Sequence, residues 1–316
     1  MPDSSTDPAE SLMVASPQAW RDACFSLPAV RSLSTDGRKV TILCPRSQER
    51  FWQAAGVAHI ISYSEKDSAR AIARFLVDVE RALLWEPGKA ADACARAGIA
   101  ELIGLPAPKL EKLLTRKLER RILPGPAEHQ VQRMLEAAEL LGAQPLQGQY
   151  FKALAWPIEA QTDALLVVPD SDYGANHEWI HEEWLKVVEW LKEKGWQVHI
   201  GKLREGGLSD SVAEESSCRT QAIDLSNPDS FASYPLCLSA DGSLPHLAGA
   251  FGAKCAVLFG PGDPVLTRPL SQRHLIIRKK VECSPCFLDK CPIDLRCQND
   301  LDAPRVIKLL QSLNPA

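Results

Sequence analysis

The sequence predicts an α/β protein built of two doubly wound parallel sheets, and three observations predict it. Uninterrupted apolar runs such as Lys39-Val-Thr-Ile-Leu-Cys44 and Ala164-Leu-Leu-Val-Val168 read as strands buried on both faces, the habit of a parallel sheet covered by helices. Segments of helical periodicity alternate with these runs, which is the signature of βαβ units. The chain has 316 residues, more than one hydrophobic core usually serves, so two domains of about 150 residues each follow. The boundaries drawn are 1–150 and 151–316, with the junction in the loop-rich stretch 143–161 that carries Pro145 and Pro157.

Leu12-Met-Val-Ala15 opens the first sheet, and the loop 16–21 leads to a helix over 22–33. Lys39–Cys44 is the second strand, a helix over 48–55 stops at Gly56, and His59–Tyr63 is the third strand. A helix over 69–82, a strand at 83–85, a helix over 90–97 stopped by Gly98 and a strand at 101–105 complete the alternation. The charged segment 109–121 and the Pro124-Gly-Pro126 break read as an irregular surface excursion. A helix over 128–141 carries Val131, Met134, Leu135, Ala138 and Leu141 on one face. The second sheet restarts at Ala164–Val168. An amphipathic helix over 179–194 places Ile180, Trp184, Val187, Val188 and Leu191 together and ends at Gly195. Strands follow at 197–200, 221–225, 236–238, 254–259 and 274–277, and the last helix starts near Asp302 and Pro304.

Composition narrows the function class. A 45% hydrophobic and 24% charged chain with net charge -4 is ordinary for a globular protein and offers no basic arm for nucleic acid. The polar, acidic stretch Met1–Glu10 lacks the charged and apolar regions of a signal peptide, and no apolar run reaches the ~18 residues of a membrane span. A cytoplasmic protein is expected, its ten cysteines reduced or bound to metal.

The segment Ser239-Ala-Asp-Gly-Ser-Leu-Pro-His246, followed by Lys254–Phe259 and Gly260-Pro-Gly-Asp-Pro264, reads as loop, short helix, buried strand and Pro/Gly-rich loop. Asp241, Gly242 and Ser243 expose backbone N–H groups at a helix start, where the unpaired donors and the helix dipole favour a phosphate. His246 falls within the first turn or so. The plainer alternative is an ordinary cap with a packed histidine. Cys283-x2-Cys286-x4-Cys291-x5-Cys297 has a spacing that could close a tetrahedral zinc site, against cysteines that line a packed loop.

Asp241, Ser243, His246, Leu247 and Ala248, then Phe259-Gly-Pro, Asp263-Pro264 and the four cysteines, resemble the C-terminal half of the ADP-heptose:lipopolysaccharide heptosyltransferases, glycosyltransferase family 9. Asp22-Ala-Cys-Phe-Ser-Leu-Pro28 is similar to the family's first loop and helix. The resemblance implies two Rossmann-like domains facing a cleft, the GT-B architecture, the first binding the acceptor and the second the donor, with the C-terminal helix free to pack back on the first. It implies an inverting transfer of a heptose or similar sugar from a nucleotide diphosphate such as ADP-heptose to a lipid-linked or core oligosaccharide, with no cofactor required and with peripheral contact at the inner membrane. Asp22 stands at the position of the family's proposed base. Asp241, Gly242, Ser243, His246, Gly260, Pro261, Ser171 and His177 stand where the family holds the donor.

The sequence departs from the family at that site. His177 occupies the place of a Lys and Glu178 that of the next basic residue; a neutral imidazole is a poor substitute for a fixed cation, and a carboxylate repels a diphosphate. Arg21 replaces a Gly before Asp22, and Leu244-Pro245 precedes His246. These departures leave open a relative that binds nucleotide sugar or glycan without turnover, and a sugar epimerase of similar build is a third reading.

Overall fold

The computed structural model describes residues 11–35, 38–120, 126–270 and 274–311. The Met1–Glu10 stretch and most of the Pro124–Pro126 break therefore lie outside the described residues. The chain divides into two units, one of residues 1–126 and 130–151, the other of 127–129 and 152–316.

Unit 1 runs β1 (Leu12–Ala15), α1 (Trp20–Thr35), β2 (Val40–Pro45), α2 (Glu49–Ala54), β3 (His59–Tyr63), α3 (Ala69–Ala73), β4 (Arg81–Leu83), α4 (Lys89–Arg96), β5 (Glu101–Gly104), β6 (Arg116–Lys117) and α5 (Val131–Leu140). Its six strands are ordered β3-β2-β1-β4-β5-β6, all pairs parallel. The segment 109–121 thus contributes a short edge strand where the sequence suggested none, because only two residues pair and no apolar run announces them. The predicted helix over 69–82 stops at Ala73, and the strand after it starts at Arg81, two residues early. Asp78 at φ 59° breaks the helical path between them.

Unit 2 runs β7 (Ala164–Val168), α6 (His181–Glu193), β8 (Gln197–Lys202), α7 (Leu208–Ser216), β9 (Arg219–Ala222), β10 (Leu236–Ala240), α8 (Ser243–Ala250), β11 (Lys254–Phe259), α9 (Pro264–Thr267), β12 (Leu275–Arg278), α10 (Arg296–Asn299) and α11 (Ala303–Leu310). The order is β12-β11-β10-β7-β8-β9, again parallel throughout. The last helix belongs to this unit: Ala303, Val306 and Leu310 join Trp184, Val187, Val188 and Leu191 of α6 in one core with β7, β8, β10 and β11. The α7 helix carries little apolar periodicity, and the sequence did not show it.

Both sheets share one topology. The chain winds outward in one direction from β1 or β7, then returns to the other side of that strand with β4 or β10. At each reversal two neighbouring strands send their loops apart, and the space left at their carboxyl ends is where open α/β sheets bind ligands.

Candidate functional site

In unit 2 the reversal lies between β7 and β10, and the loops leaving these strands are tied to each other. Pro169, Asp170 and Ser171 continue β7 as buried chain. Ser171 Oγ donates to the Asp241 carbonyl at 2.6 Å, and the Asp241 N–H donates to the Leu258 carbonyl at 3.0 Å. The loop then turns at Gly174, φ 103°, where a side chain would be strained, into a 3-10 turn at Ala175–His177. His177 Nδ1 lies 3.0 Å from Asp241 Oδ2, and the Asp241 side chain is only 4% exposed. The Tyr173 ring stands edge-on to the imidazole, centroids 5.5 Å apart. A Cβ at position 262 would come within 2.7 Å of Asp241 Oδ2, so Gly262 leaves the carboxylate its place.

Two helix tips open at this edge, and each holds a carboxylate from the β7 loop. Buried Asp170 accepts the Ser209 N–H at the start of α7 at 3.1 Å through Oδ1, and the Leu203 N–H at 3.3 Å through Oδ2. Exposed Asp172 accepts the Ser243 N–H at the start of α8 at 2.8 Å. Gly242 is extended, φ -175°, a conformation open to any residue. What it supplies is space, since a Cβ there would lie 2.8 Å from Asp172 Oδ1. The sequence suggested an anion site at the α8 tip, and the structure places the chain's own carboxylate there.

Glu178 does not stand as an uncompensated charge. Its Oε1 accepts the Ser171 N–H at 3.0 Å and Arg204 at 2.6 Å, while Arg204 also donates to the Ser171 carbonyl at 3.2 Å. The ion pair removes the repulsion expected of Glu178 and brings in a cation, Arg204, from the β8–α7 loop, which has no motif around it. His246, on α8, is 2% exposed and sits among buried Leu244, Leu247 and Ala248. Gly260 and Pro261 leave β11 and are held from the cysteine-rich segment: Ser284 Oγ donates to the Gly260 carbonyl at 3.2 Å, and the Cys286 and Phe287 N–H groups donate to the Pro261 carbonyl. Gln298, fully buried, packs against Gly260 and donates to the Asn176 carbonyl at 3.1 Å. The cysteine-rich segment therefore braces the turn that carries His177.

The zinc site expected from the cysteine spacing is not formed: among the described residues no group of three or more His, Cys, Asp or Glu is placed to hold a metal ion. Cys283 is exposed, Cys286 and Cys291 half-buried and Cys297 buried. Burial, then the charges of the other three, pushes the Cys297 thiol up.

In unit 1 the reversal lies between β1 and β4. Asp22, expected on the loop, is the third residue of α1 and pairs with Arg21 at 2.9 Å. The loop before it is held from two sides by residues that no motif announced. Buried Gln48 donates to the Pro17 and Gln18 carbonyls at 2.9 and 3.1 Å. Glu86, beyond β4, accepts the Gln18 N–H at 2.7 Å. Burial raises the Glu86 carboxyl above its ordinary range against that bond; Asp22 adds to the rise and Arg133 opposes it. An open pocket of about 700 Å³ beside the ends of β5 and β6 is lined by Leu105, Pro106, Lys117, Leu118, Glu119, Arg120 and Arg133.

Two Rossmann-like domains with their polar loops at the sheet reversals define a protein of the GT-B class. The family profile of glycosyltransferase family 9 (heptosyltransferase) matches residues 113–296, and the chain belongs to that family. The match contains every donor-site candidate but not Asp22. Lipooligosaccharide heptosyltransferase 2 of Haemophilus influenzae is 25% identical over 120 residues, 35% of each chain, so the alignment spans about a third of that relative. Escherichia coli ADP-heptose lipopolysaccharide heptosyltransferase II is 20% identical, with TM-score 0.73 over 96% of this chain and 98% of its own. An E. coli heptosyltransferase solved with ADP is 16% identical, with TM-score 0.73 over 96% of this chain and 100% of its own. No helix among the described residues is long and apolar enough to cross a membrane.

Proposed function

We propose that this chain transfers a heptose or similar sugar from a nucleotide diphosphate to a lipopolysaccharide-core-type acceptor, with inversion and without a metal. The observation that carries the reading is the meeting of Ser171, His177, Asp241, Gly242 and Ser243 at the β7/β10 reversal, inside the stretch the family profile matches. The neighbour solved with ADP supports ADP as the nucleotide. Unit 2 holds the diphosphate through the α8 start, His177 and Arg204, with Gly260 and Pro261 as the neighbouring wall.

Unit 1 receives the acceptor, and Asp22 takes the proton of its attacking hydroxyl, a role that calls for a carboxylate within hydrogen-bond reach of that hydroxyl. Lys117, Arg120 and Arg133 suit the pocket beside β5 and β6 to an anionic core saccharide. The protein works in the cytoplasm, at the inner face of the membrane where such an acceptor is presented.

Release of ADP and sugar transfer to a heptose-deficient lipopolysaccharide-core acceptor, measured with ADP-heptose for the wild type and Asp22→Asn, tests this. Transfer by the wild type with a loss of ~10²-fold or more in the variant supports it; no transfer by either, with ADP bound, supports a relative that binds without turnover. The Asp172 carboxylate on the Ser243 N–H favours that second reading.

A further inference from the structure

We infer that the cysteine-rich segment is a lipid-docking face: Phe287, Leu288 and Ile293 enter the headgroup boundary of an anionic phospholipid bilayer while Lys279, Lys280 and Lys290 meet its phosphates. The inference rests on the reading above of an acceptor presented at the membrane, and goes beyond it by assigning the surface that meets the lipid.

Among the described residues few large apolar side chains are exposed, and three of them fall between positions 287 and 293: Phe287 at 57%, Leu288 at 44% and Ile293 at 62%. Single exposed apolar residues need no explanation, but a cluster rimmed by charge marks a contact with a protein or a membrane. The exposure does not come from a loose loop. The Cys286 and Phe287 N–H groups donate to the Pro261 carbonyl at 3.1 Å, Asn176 Nδ2 to the Leu288 carbonyl at 2.9 Å, and Asn299 Nδ2 to the Asp294 carbonyl at 2.6 Å. These bonds hold Phe287 at φ 55°, a left-handed conformation that is costly for a bulky residue. The main chain is thus fixed to the donor-site turns while the apolar side chains stay outside the core.

Charge decides the occupant. Lys279 and Lys280 precede the segment and Lys290 lies within it, and among the described residues none of the three makes an ion pair or a side-chain hydrogen bond. The acids Glu282 and Asp294 are both paired with Arg296, at 3.3 and 3.0 Å, which leaves Asp289 against three lysines. In a chain of net charge -4 this is a local excess of the sign that anionic lipid attracts. Protein interfaces are depleted of lysine, whereas at a bilayer the lysine stems reach the phosphates as their apolar neighbours enter the acyl boundary. A second exposed pair, Phe75 and Val77 of unit 1, has Arg70 and Arg74 on one side and Asp78 and Glu80 on the other, and so no net positive charge.

Co-sedimentation of the full chain with vesicles of phosphatidylcholine, alone or mixed with phosphatidylglycerol, tests the assignment, with ADP titrated calorimetrically on each protein. The wild type should partition ~30-fold more strongly onto the mixed vesicles, the effect of two net charges near the surface, and less so as salt rises. Phe287→Asn with Ile293→Gln, Asn being a residue that accepts the left-handed conformation, should lose about 10-fold of that binding. Lys279→Gln with Lys280→Gln and Lys290→Gln should bind both vesicles alike. Phe75→Ser should behave as the wild type does, and all variants should bind ADP with wild-type affinity. Equal partition of the wild type onto the two vesicles, or unchanged partition of the Phe287→Asn, Ile293→Gln protein, would overturn the inference while ADP binding keeps the donor reading in place. A dimer in sedimentation velocity that the same double variant dissolves would assign the face to a second copy and overturn it too. No ADP binding by any folded form would overturn the donor reading alone.

Discussion

Asp172 Oδ1 accepts the backbone N–H of Ser243 at 2.8 Å, so the start of α8 is closed by a carboxylate of the same domain. A diphosphate at that tip must displace Asp172 and then face its charge. Asn caps a helix about as well as Asp, so Asp172→Asn removes the charge and keeps the bond. The variant is expected to bind ADP ~5- to 20-fold more tightly, about 1–2 kcal/mol of relieved repulsion at partly exposed distances, with a melting temperature near that of the wild type. Calorimetry beside a thermal melt checks both, and unchanged affinity would mean that the phosphate does not use the α8 start.

Glu86 fixes the loop before Asp22 through the Gln18 N–H, and burial raises its carboxyl. A carboxyl raised in the fold is more easily protonated there than in the unfolded chain. Its ionised form consequently subtracts stability at neutral pH, and the loss is recovered as pH falls through the folded value toward the unfolded one. Glu86→Gln retains an acceptor for Gln18 without the charge. It should be at least as stable as the wild type in urea at pH 7, with the difference shrinking toward pH 4. Glu86→Ala hands the exposed Gln18 N–H to water and should cost about 0.5–1.5 kcal/mol, the net worth of one hydrogen bond.

The fold was legible because both sheets are buried on two faces: Lys39–Cys44, Ala164–Val168 and Lys254–Phe259 have no polar alternation to mislead, and each became a strand within a residue of its predicted limits. Elements with little apolar content, β6 and α7, were not visible, since pairing with β5 and capping by Asp170 place them. The candidate donor-site residues could be named from short motifs at the ends of β7, β10 and β11. Their partners could not: Arg204, Gln298, Gln48 and Glu86 reach the sites from segments distant in sequence, and no local pattern encodes a contact made only after folding.

Gly104 is a case where the missing side chain is a structural requirement. It ends β5, and a Cβ there would sit 2.5 Å from the Leu84 carbonyl and 3.1 Å from Leu114 Cδ2. The first neighbour is main chain, held by the Leu84 N–H to Ile103 carbonyl bond at 2.8 Å, and cannot swing aside. Gly104→Ala should therefore lose about 1–3 kcal/mol through overpacking, read as a lower urea midpoint with an unchanged slope. Gly148→Ala, where nothing lies within 4 Å of the added carbon, is the control and should stay within about 0.5 kcal/mol.

His274 gives unit 2 an acid limit. Burial, with smaller contributions from the charges of Arg268 and His129, lowers its imidazole from 6.5 to about 4, although a hydrogen bond to the Pro269 carbonyl works the other way. Because the folded value lies below the unfolded one, the unfolded chain takes up the proton first as pH falls. Stability is thus lost between pH 6.5 and about 4, by at most ~3 kcal/mol from this one group, and the loss levels off once the folded form is protonated too. His274→Gln has no proton to gain in this range, so its urea midpoint should fall less steeply than that of the wild type over the same interval. Parallel curves for the two proteins would show that another group sets the acid limit.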